Sequence, residues 1–292
     1  MLAARILAIV FPVFAIIGIG WWYGRARRPD LGVTNQISME VLVPALVFAA
    51  LASKTFDFAN YGALALGGAA VVLGSGLLAW PLARLLRVQA RSFVPPMMFN
   101  NSGNMGIPLI VLAFGEAALP AAIILFLVEM VLHFSLGPYL LGRRMNPLQL
   151  LRTPVMAATL LGVAVSVSGL TLPAPLVTAI EMLGDASIPM LLFALGVRLS
   201  QATLRDWRIG AWSGVVSPAT GLLMALLLAP LLPLPPEQWP MLLVFGALPP
   251  AVLNYLMAEQ YRQEPERVAS IVLLGNLSAL LVMPVVLAFV LW

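Results

Sequence analysis

The chain has 292 residues, of which 61% are hydrophobic and only 10% are charged, and its formal net charge is +4. Since a soluble domain carries roughly 25% charged residues, this composition excludes a soluble enzyme and predicts an all-α polytopic membrane protein. The arginines are spread over several loops, which argues against a nucleic-acid partner. The chain contains no cysteine, so thiol chemistry and cysteine metal sites are excluded.

Ten apolar segments follow one another, each close to the roughly 20 residues that a spanning helix needs. The first runs into Trp21 and Trp22 without a small-residue cleavage site, so we expect a retained helix rather than a signal peptide. The predicted spans are 4–23, 35–52, 61–82, 93–114, 118–141, 154–170, 175–199, 210–232, 240–261 and 268–291.

Charge placement supports this count. Alternate loops carry 14 of the 16 Lys and Arg residues, and only Arg5 and Lys54 fall on the other side. By the positive-inside rule the arginine-rich loops are cytoplasmic, and both termini lie outside. The 14 residues are Arg25, Arg27, Arg28, Arg84, Arg87, Arg91, Arg143, Arg144, Arg152, Arg198, Arg205, Arg208, Arg262 and Arg267.

A weak internal repeat divides the chain into residues 1–141, a short linker at 142–153, and residues 154–292. The sequence PALVFA at 44–49 matches PMLLFA at 189–194, an offset of 145 positions. Five helices in each half make the second half inverted relative to the first. Inverted repeats with paired broken helices are typical of secondary transporters, which bind substrate near the midplane of the bilayer.

Two of the predicted helices carry signals that interrupt a helix. Helix four contains FNNSGNMGIP at 99–108, and helix nine contains ALPPAVLN at 247–254, near the repeat-equivalent position. Glycine and proline weaken the helical ladder, and lipid offers no partner for the freed backbone groups, so both breaks must face protein or a wet cavity. Restarted half-helices point positive N-terminal ends inward, where a carboxylate can bind. The alternative is that both segments are kinks packed against neighbouring helices. The candidate substrate-binding residues are Asn100, Asn101, Asn104, Gly106, Pro108, Pro249, Pro250 and Asn254.

Ionisable residues inside the predicted spans are candidates for proton coupling. Glu129 and His133 lie four positions apart in helix five and therefore share a face. Glu181 and Asp185 have the same spacing in helix seven. Such groups are costly in lipid and usually face the bundle interior or a water path, but a structural Glu–His pair or a position near the interface remains an alternative. With one histidine, no cysteine and no phosphate-binding loop, we expect no metal, no cofactor and no ATP-driven transport.

The motif NSGNMGIPL at 101–109, the Pro249-Pro250 pair with Asn254, and the ten-helix plan resemble the auxin efflux carrier family. That family includes plant PIN-type carriers and bacterial permeases for malonate or malate, and its fold is related to that of bile acid:sodium symporters. The resemblance implies that helices four and nine cross where they unwind. It also implies a scaffold of helices 1, 2, 6 and 7, often dimeric, and a moving transport domain of helices 3–5 and 8–10.

The resemblance further implies a facilitative or secondary active transporter of a small organic anion, a mono- or dicarboxylate, that works by alternating access. Substrate would lie beside the crossover. The short linker at 142–153 replaces the long loop of plant carriers and indicates a prokaryotic protein in the cytoplasmic membrane. Uniport, proton coupling and sodium coupling all remain open. An anion channel and a membrane enzyme are the alternatives from other classes, although we find no catalytic constellation for the enzyme.

Overall fold

The computed structural model describes residues 2–52, 58–142, 151–202, 204–228 and 230–292. Lys54, Arg143, Arg144 and residues 143–150 of the predicted linker lie outside these ranges. The regular secondary structure of the described residues is helical apart from one isolated antiparallel bridge. The helices are α1 (Leu2–Arg27), α2 (Gly32–Ile37), α3 (Val43–Ala52), α4 (Gly62–Leu85), α5 (Ala90–Met98), α6 (Ile107–Phe114), α7 (Leu119–Leu140), α8 (Pro154–Ser168), α9 (Ala174–Gln201), α10 (Trp207–Leu228), α11 (Gln238–Ala247), α12 (Leu253–Gln260) and α13 (Pro265–Val290).

Seven segments within the described residues are long and apolar enough to cross a membrane. This confirms a polytopic helical membrane protein. The second of them, Gly32–Ala52, joins α2 to α3 through a π-helical turn at Ser38–Leu42. The other three predicted spans are shorter in the structure. The fourth and ninth are each divided into two short helices, and the sixth, α8, has 15 residues.

The helices pack as two groups. In the first group, α1 lies along α9, and α3 packs against α8 and α9. Small residues permit this close approach: a Cβ atom at Gly184 of α9 would lie 3.0 Å from the Leu46 Cα of α3. In the second group, α10 lies along α13, and α4 contacts α5, α7 and α10. Contacts between the groups are fewer and include α1 with α6, and α9 with the turn at Ser102–Gly106.

Hydrogen bonds and ion pairs join the ends of helices that carry the arginines. Arg267 Nε lies 2.9 Å from Asp206 Oδ2. This pair links the first turn of α13 to the residue that precedes α10. Gln201 Nε2 donates to the Pro29 carbonyl, which links the end of α9 to the segment after α1. At the opposite end, Gln238 Nε2 donates to the Asn60 carbonyl. The segments around Pro29, Gln201, Asp206 and Arg267 therefore meet at one end of the helix bundle, which we call the arginine-rich end.

Candidate functional site

The first break separates α5 from α6. Phe99 leaves the helix in an extended conformation (φ −95°, ψ 102°), and residues Ser102–Gly106 form a π-helical turn. The Asn101 carbonyl accepts from both Met105 N and Gly106 N at 3.1 Å, which starts this turn. Pro108 stands in the first turn of α6, where its missing N–H costs no helical hydrogen bond. π-turns of this kind are often found at functional sites.

The second break separates α11 from α12. Leu248 leaves α11 in an extended conformation (φ −61°, ψ 146°), because the residue before a proline disfavours the helical region. Pro249 and Pro250 then carry the chain to α12, which begins at Leu253. Both prolines are buried, so the carbonyl groups around them need partners inside the protein.

The two breaks supply those partners to each other. Asn101 N donates to the Pro249 carbonyl at 2.7 Å, and Ala251 N donates to the Phe99 carbonyl at 3.0 Å. These bonds form a short antiparallel bridge between Asn100 and Pro250. Two segments of buried non-helical backbone thus satisfy one another. We call residues 99–101 and 249–251 together the crossover.

Two buried amides fasten the crossover from both sides. Asn100 Nδ2 donates to the Phe245 carbonyl at 2.8 Å, and Asn254 Nδ2 donates to the Phe99 carbonyl at 2.9 Å. The reverse amide orientation would set oxygen against oxygen, so the acceptors determine which way each amide points. Both Oδ1 atoms are buried without a hydrogen-bond partner among the described residues. Each is therefore an acceptor available to a water, a cation or the hydroxyl of a protonated acid.

Helix α13 holds the crossover through a third amide. Asn276 Nδ2 donates to the Pro250 carbonyl at 2.9 Å, and Asn276 Oδ1 accepts from Asn101 Nδ2 at 3.0 Å. The neighbouring Gly275 lies against the ring of Pro250, where a Cβ atom would be 2.5 Å from Pro250 Cδ. A glycine is therefore required for α13 to approach the second break this closely.

A buried ionisable pair adjoins the first break. Glu129 and His133 of α7 are 5% and 1% exposed, and His133 Nδ1 lies 3.0 Å from Glu129 Oε1. Ser102 Oγ donates to Glu129 Oε2 at 3.1 Å, and the His133 ring stacks on Phe99 with centroids 4.1 Å apart. His133 Nε2 has no partner among the described residues, and His133 lines a cavity of about 10 Å³. A space of that size holds about one water molecule.

Two known proteins are similar in sequence to this chain over 94% of its length. The model of a family described as "Membrane transport protein" matches residues 139–287. A Rhizobium meliloti (strain 1021) protein named "Putative malonate transporter" is 30% identical over 304 residues, which cover 94% of this chain and 92% of the relative. The chain belongs to the membrane transport protein family. A second relative, "Uncharacterized transporter MJ1031" of Methanocaldococcus jannaschii, is 23% identical over 300 residues, covering 94% of this chain and 95% of the relative.

Membership of the family confirms the resemblance to auxin efflux carriers, and the protein is a membrane transporter rather than an enzyme. In this transporter Asn100, Asn101 and Asn254 are buried in the crossover with their amide nitrogens engaged. Asn104 differs, because it is half-buried and its amide has no hydrogen bond among the described residues. Gly106 packs closely, since a Cβ atom there would lie 2.7 Å from Leu248 Cδ1.

The second predicted ionisable pair lies elsewhere in the transporter. Glu181 and Asp185 are both exposed on α9, and neither has a hydrogen bond to the crossover among the described residues. Glu181 lines a separate cavity of about 290 Å³ bounded by α3, α8 and α9. The structure therefore joins Glu129 and His133 to the broken helices and leaves Glu181 and Asp185 on the first helix group.

A cavity of about 600 Å³ opens at the arginine-rich end of the transporter. The segment after α1 and the end of α9 form one wall, and α12 and α13 form the other. Val252, which follows the crossover, and Val272 of α13 line it. The Val272 carbonyl also accepts from Asn276 Nδ2, so the cavity ends next to the residues that hold the crossover.

Four residues of this site were not among the predicted site residues. Arg198 and Asn35 line the large cavity, Ser102 contacts Glu129, and Asn276 joins α13 to the crossover. From the sequence, Arg198 is predicted only to be one of the loop charges. Arg198 and Asn35 could have been found as polar residues near the ends of predicted spans. Ser102 could have been found because it lies within the glycine-rich motif.

Proposed function

We propose that this chain is a carrier of small organic anions, mono- or dicarboxylates, and that it works by alternating access around the crossover of the broken helices. The observation that carries the proposal is the interlock of the two breaks, in which Asn100 and Asn254 each bond to a carbonyl of the other broken helix. Buried non-helical backbone is expensive, and transporters place it where ligand is bound. The name of the 30% identical relative supports malonate as the first substrate to test.

The proposal includes ten crossings arranged as two inverted repeats. The α5–α6 and α11–α12 pairs each complete one crossing, and α8 completes another. Two observations support this arrangement. The breaks occur in the fourth and ninth segments, five apart, and the Asn100–Phe245 bond joins positions 145 apart, the offset of the sequence repeat. Contacts of this kind are expected when two similar halves meet at a pseudo-two-fold axis.

The two helix groups have separate roles in this mechanism. The group of α1, α3, α8 and α9, with α2, is the scaffold, and the group of α4–α7 and α10–α13 moves against it. Sparse contacts between the groups support this division, because fewer packed side chains must rearrange when they slide. We further propose that the scaffold forms the interface of a homodimer in the cytoplasmic membrane of a prokaryote, with both termini outside.

Substrate lies on the scaffold-facing side of the crossover. The amide of Asn104 is available there, because the turn at Ser102–Gly106 contacts α9. The N–H groups that begin the restarted half-helices add partial positive charge. We assign Asn100, Asn101 and Asn254, with Pro249 and Pro250, to holding the crossover in shape, because their polar or backbone groups already bond there. Pro108 starts α6. Gly106 lets Leu248 approach.

Proton coupling through Glu129 and His133 is the form of energy coupling that a specific observation favours. Ser102 connects Glu129 to the first break, so a change in charge at the pair is transmitted to the crossover. The two side chains are also in direct contact inside the protein, where ionisable groups of transporters usually lie on a proton or ion path. Uniport and sodium coupling remain alternatives, and the unpartnered Asn100 and Asn254 oxygens suit a sodium ion.

Reconstitution into liposomes tests the function. Vesicles loaded with unlabelled malonate should accumulate external ¹⁴C-malonate by counterflow, saturably, and recovered label should be chemically intact. Counterflow without net current distinguishes a carrier from an anion channel. A proton ionophore should abolish concentrative uptake, and sodium-free buffer should leave it unchanged. Absence of exchange for malonate, succinate and propionate alike would refute the proposed function.

A further inference from the structure

Arg198 is a half-buried cation with no partner among the residues that the structure describes. It lies in the last turn of α9 and lines the cavity of about 600 Å³ at the arginine-rich end. Among the described residues it makes no hydrogen bond and no ion pair. Two other arginines at this end are paired, Arg205 with Glu266 and Arg267 with Asp206. A guanidinium group withdrawn from water without an anion is unfavourable, so its position calls for an anionic partner.

The acidic residues of this cavity do not supply that partner. Asp30, Glu259 and Glu266 line it as well, and all three are exposed, whereas Arg198 is half-buried. Glu266 pairs with Arg205, Glu259 accepts from Tyr255 Oη at 3.0 Å, and Asp30 accepts from Gly32 N at 2.8 Å. The negative charges therefore lie at the mouth and are engaged, while the single cation among the lining residues lies deeper.

Asn35 adds a second free donor. It lies in α2, lines the same cavity, is half-buried, and its side chain has no partner among the described residues. Arg198 and Asn35 both belong to the scaffold side of the cavity, and Val252 and Val272 to the opposite side. An anion held by the two donors is thus placed against the wall that ends at the crossover.

We infer that the cavity between the end of α9 and α12–α13 is an anion-binding vestibule, in which Arg198 and Asn35 bind a carboxylate group of the substrate before it reaches the crossover. The inference rests on the proposed function, and it adds an entry site that the crossover alone does not provide. The volume suits this role, because pockets of roughly 300–1,000 Å³ enclose drug-sized ligands and a three-carbon dicarboxylate fills only part of one. The vestibule therefore admits small anions without fitting one closely.

Arginine recognises carboxylates through a planar pair of N–H donors, so charge and geometry both matter. In full-length purified protein, Arg198→Gln should raise the Kd for malonate by about ten- to a hundredfold, the range for hydrogen bonds to charged groups. Arg198→Lys keeps the charge and should lose only about three- to tenfold. Arg208→Gln is the matched control, because Arg208 is exposed, stacks on Trp207 at the start of α10, and does not line the vestibule. It should leave the Kd unchanged, and no variant should have a lower thermal midpoint than the wild type without ligand.

The natural lack of cysteine permits a second readout that does not depend on transport. An Asn35→Cys variant should react with a methanethiosulfonate reagent, and saturating malonate should slow that reaction at least about threefold. Adding Arg198→Gln should remove the protection at the same malonate concentration. An Arg208→Cys variant should show no protection at all.

The outcomes separate the two levels of inference. If the wild type exchanges malonate but Arg198→Gln binds it with an unchanged Kd, the vestibule is wrong and the proposed function stands. If an anionic phospholipid protects Asn35→Cys and malonate does not, the cavity binds lipid head groups and the inference is overturned. If the wild type neither binds nor exchanges any carboxylate tested, the proposed function fails and the vestibule with it.

Discussion

The two broken helices meet in one crossover but are built from different chemistry. The first break contains a π-turn, a run of polar residues and a link through Ser102 to the Glu129–His133 pair. The second break contains two prolines, and its neighbour α13 holds it with the neutral amide of Asn276. Each break thus has a supporting helix, α7 or α13, but only the first is supported by an ionisable pair.

This difference indicates a division of labour. Prolines fix backbone angles and remove donors, so the second break has few alternative conformations. Glycines and a π-turn leave the first break freer, and a proton on Glu129 or His133 changes the charge beside it. In a crossed pair, one segment that stays fixed gives the other a surface to move against. The second break should therefore be rigid and the first responsive.

Crowding the second break should have the largest effect. A Cβ atom at Gly275 meets the ring of Pro250 at 2.5 Å, whereas one at Gly106 meets the mobile end of Leu248 at 2.7 Å. We expect Gly275→Ala to destabilise the protein by about 2–3 kcal/mol and Gly106→Ala by about 1 kcal/mol, since overpacking is costliest where the neighbour is stiff. Thermal unfolding in detergent measures both, and Gly18→Ala is the control because nothing lies within 4 Å of its Cβ position. Equal losses at Gly275 and Gly106 would contradict a rigid second break.

Neutralising the ionisable pair should impair driven transport while preserving the fold. Glu129→Gln keeps the acceptor for Ser102 and the size of the side chain but removes its charge. We expect pH-driven malonate uptake to fall about a hundredfold or more, as for loss of a general acid or base, while counterflow at equal pH changes less. His133→Gln should behave in the same way. Uptake that still follows the imposed pH gradient in both variants would exclude this pair as the coupling site.

Removing the two fastening amides should have a smaller and unequal effect on stability. Asn254 Nδ2 donates to the carbonyls of both Phe99 and Ala251, while Asn100 Nδ2 donates only to the carbonyl of Phe245. At about 1 kcal/mol per buried hydrogen bond, Asn254→Ala should cost about 2 kcal/mol and Asn100→Ala about 1 kcal/mol. The shift in thermal midpoint checks the order. A double variant that loses clearly less than the sum would show that the two amides act as one unit.

The location of the breaks could be predicted from the sequence because it depends on local chemistry. Gly103, Gly106 and Pro108 interrupt a helix wherever they occur in it, and Pro249-Pro250 do the same. The hydrogen-bond partners of the asparagine side chains could not be predicted from the sequence, because Asn100 and Asn254 donate to carbonyls 145 and 155 positions away. These amides were predicted to bind substrate, yet their nitrogens bind backbone. Arg198 shows the same limit: its charge was visible in the sequence, but its lack of a partner depends on how four segments meet.

The smallest effect on stability is expected at Asn104, where the effect on substrate should be clearest. Its amide is half-buried and has no hydrogen bond among the described residues, so Asn104→Ala should change the free energy of unfolding by no more than about 0.5 kcal/mol. If the first break presents this amide to the carboxylate, the KM for malonate should rise about fivefold or more while the maximal rate changes less. Asn104→Asp should be worse than Asn104→Ala, because a carboxylate repels the anion where a methyl group does not. An Asp variant that transports as well as the wild type would place the substrate elsewhere along the crossover, nearer the second break.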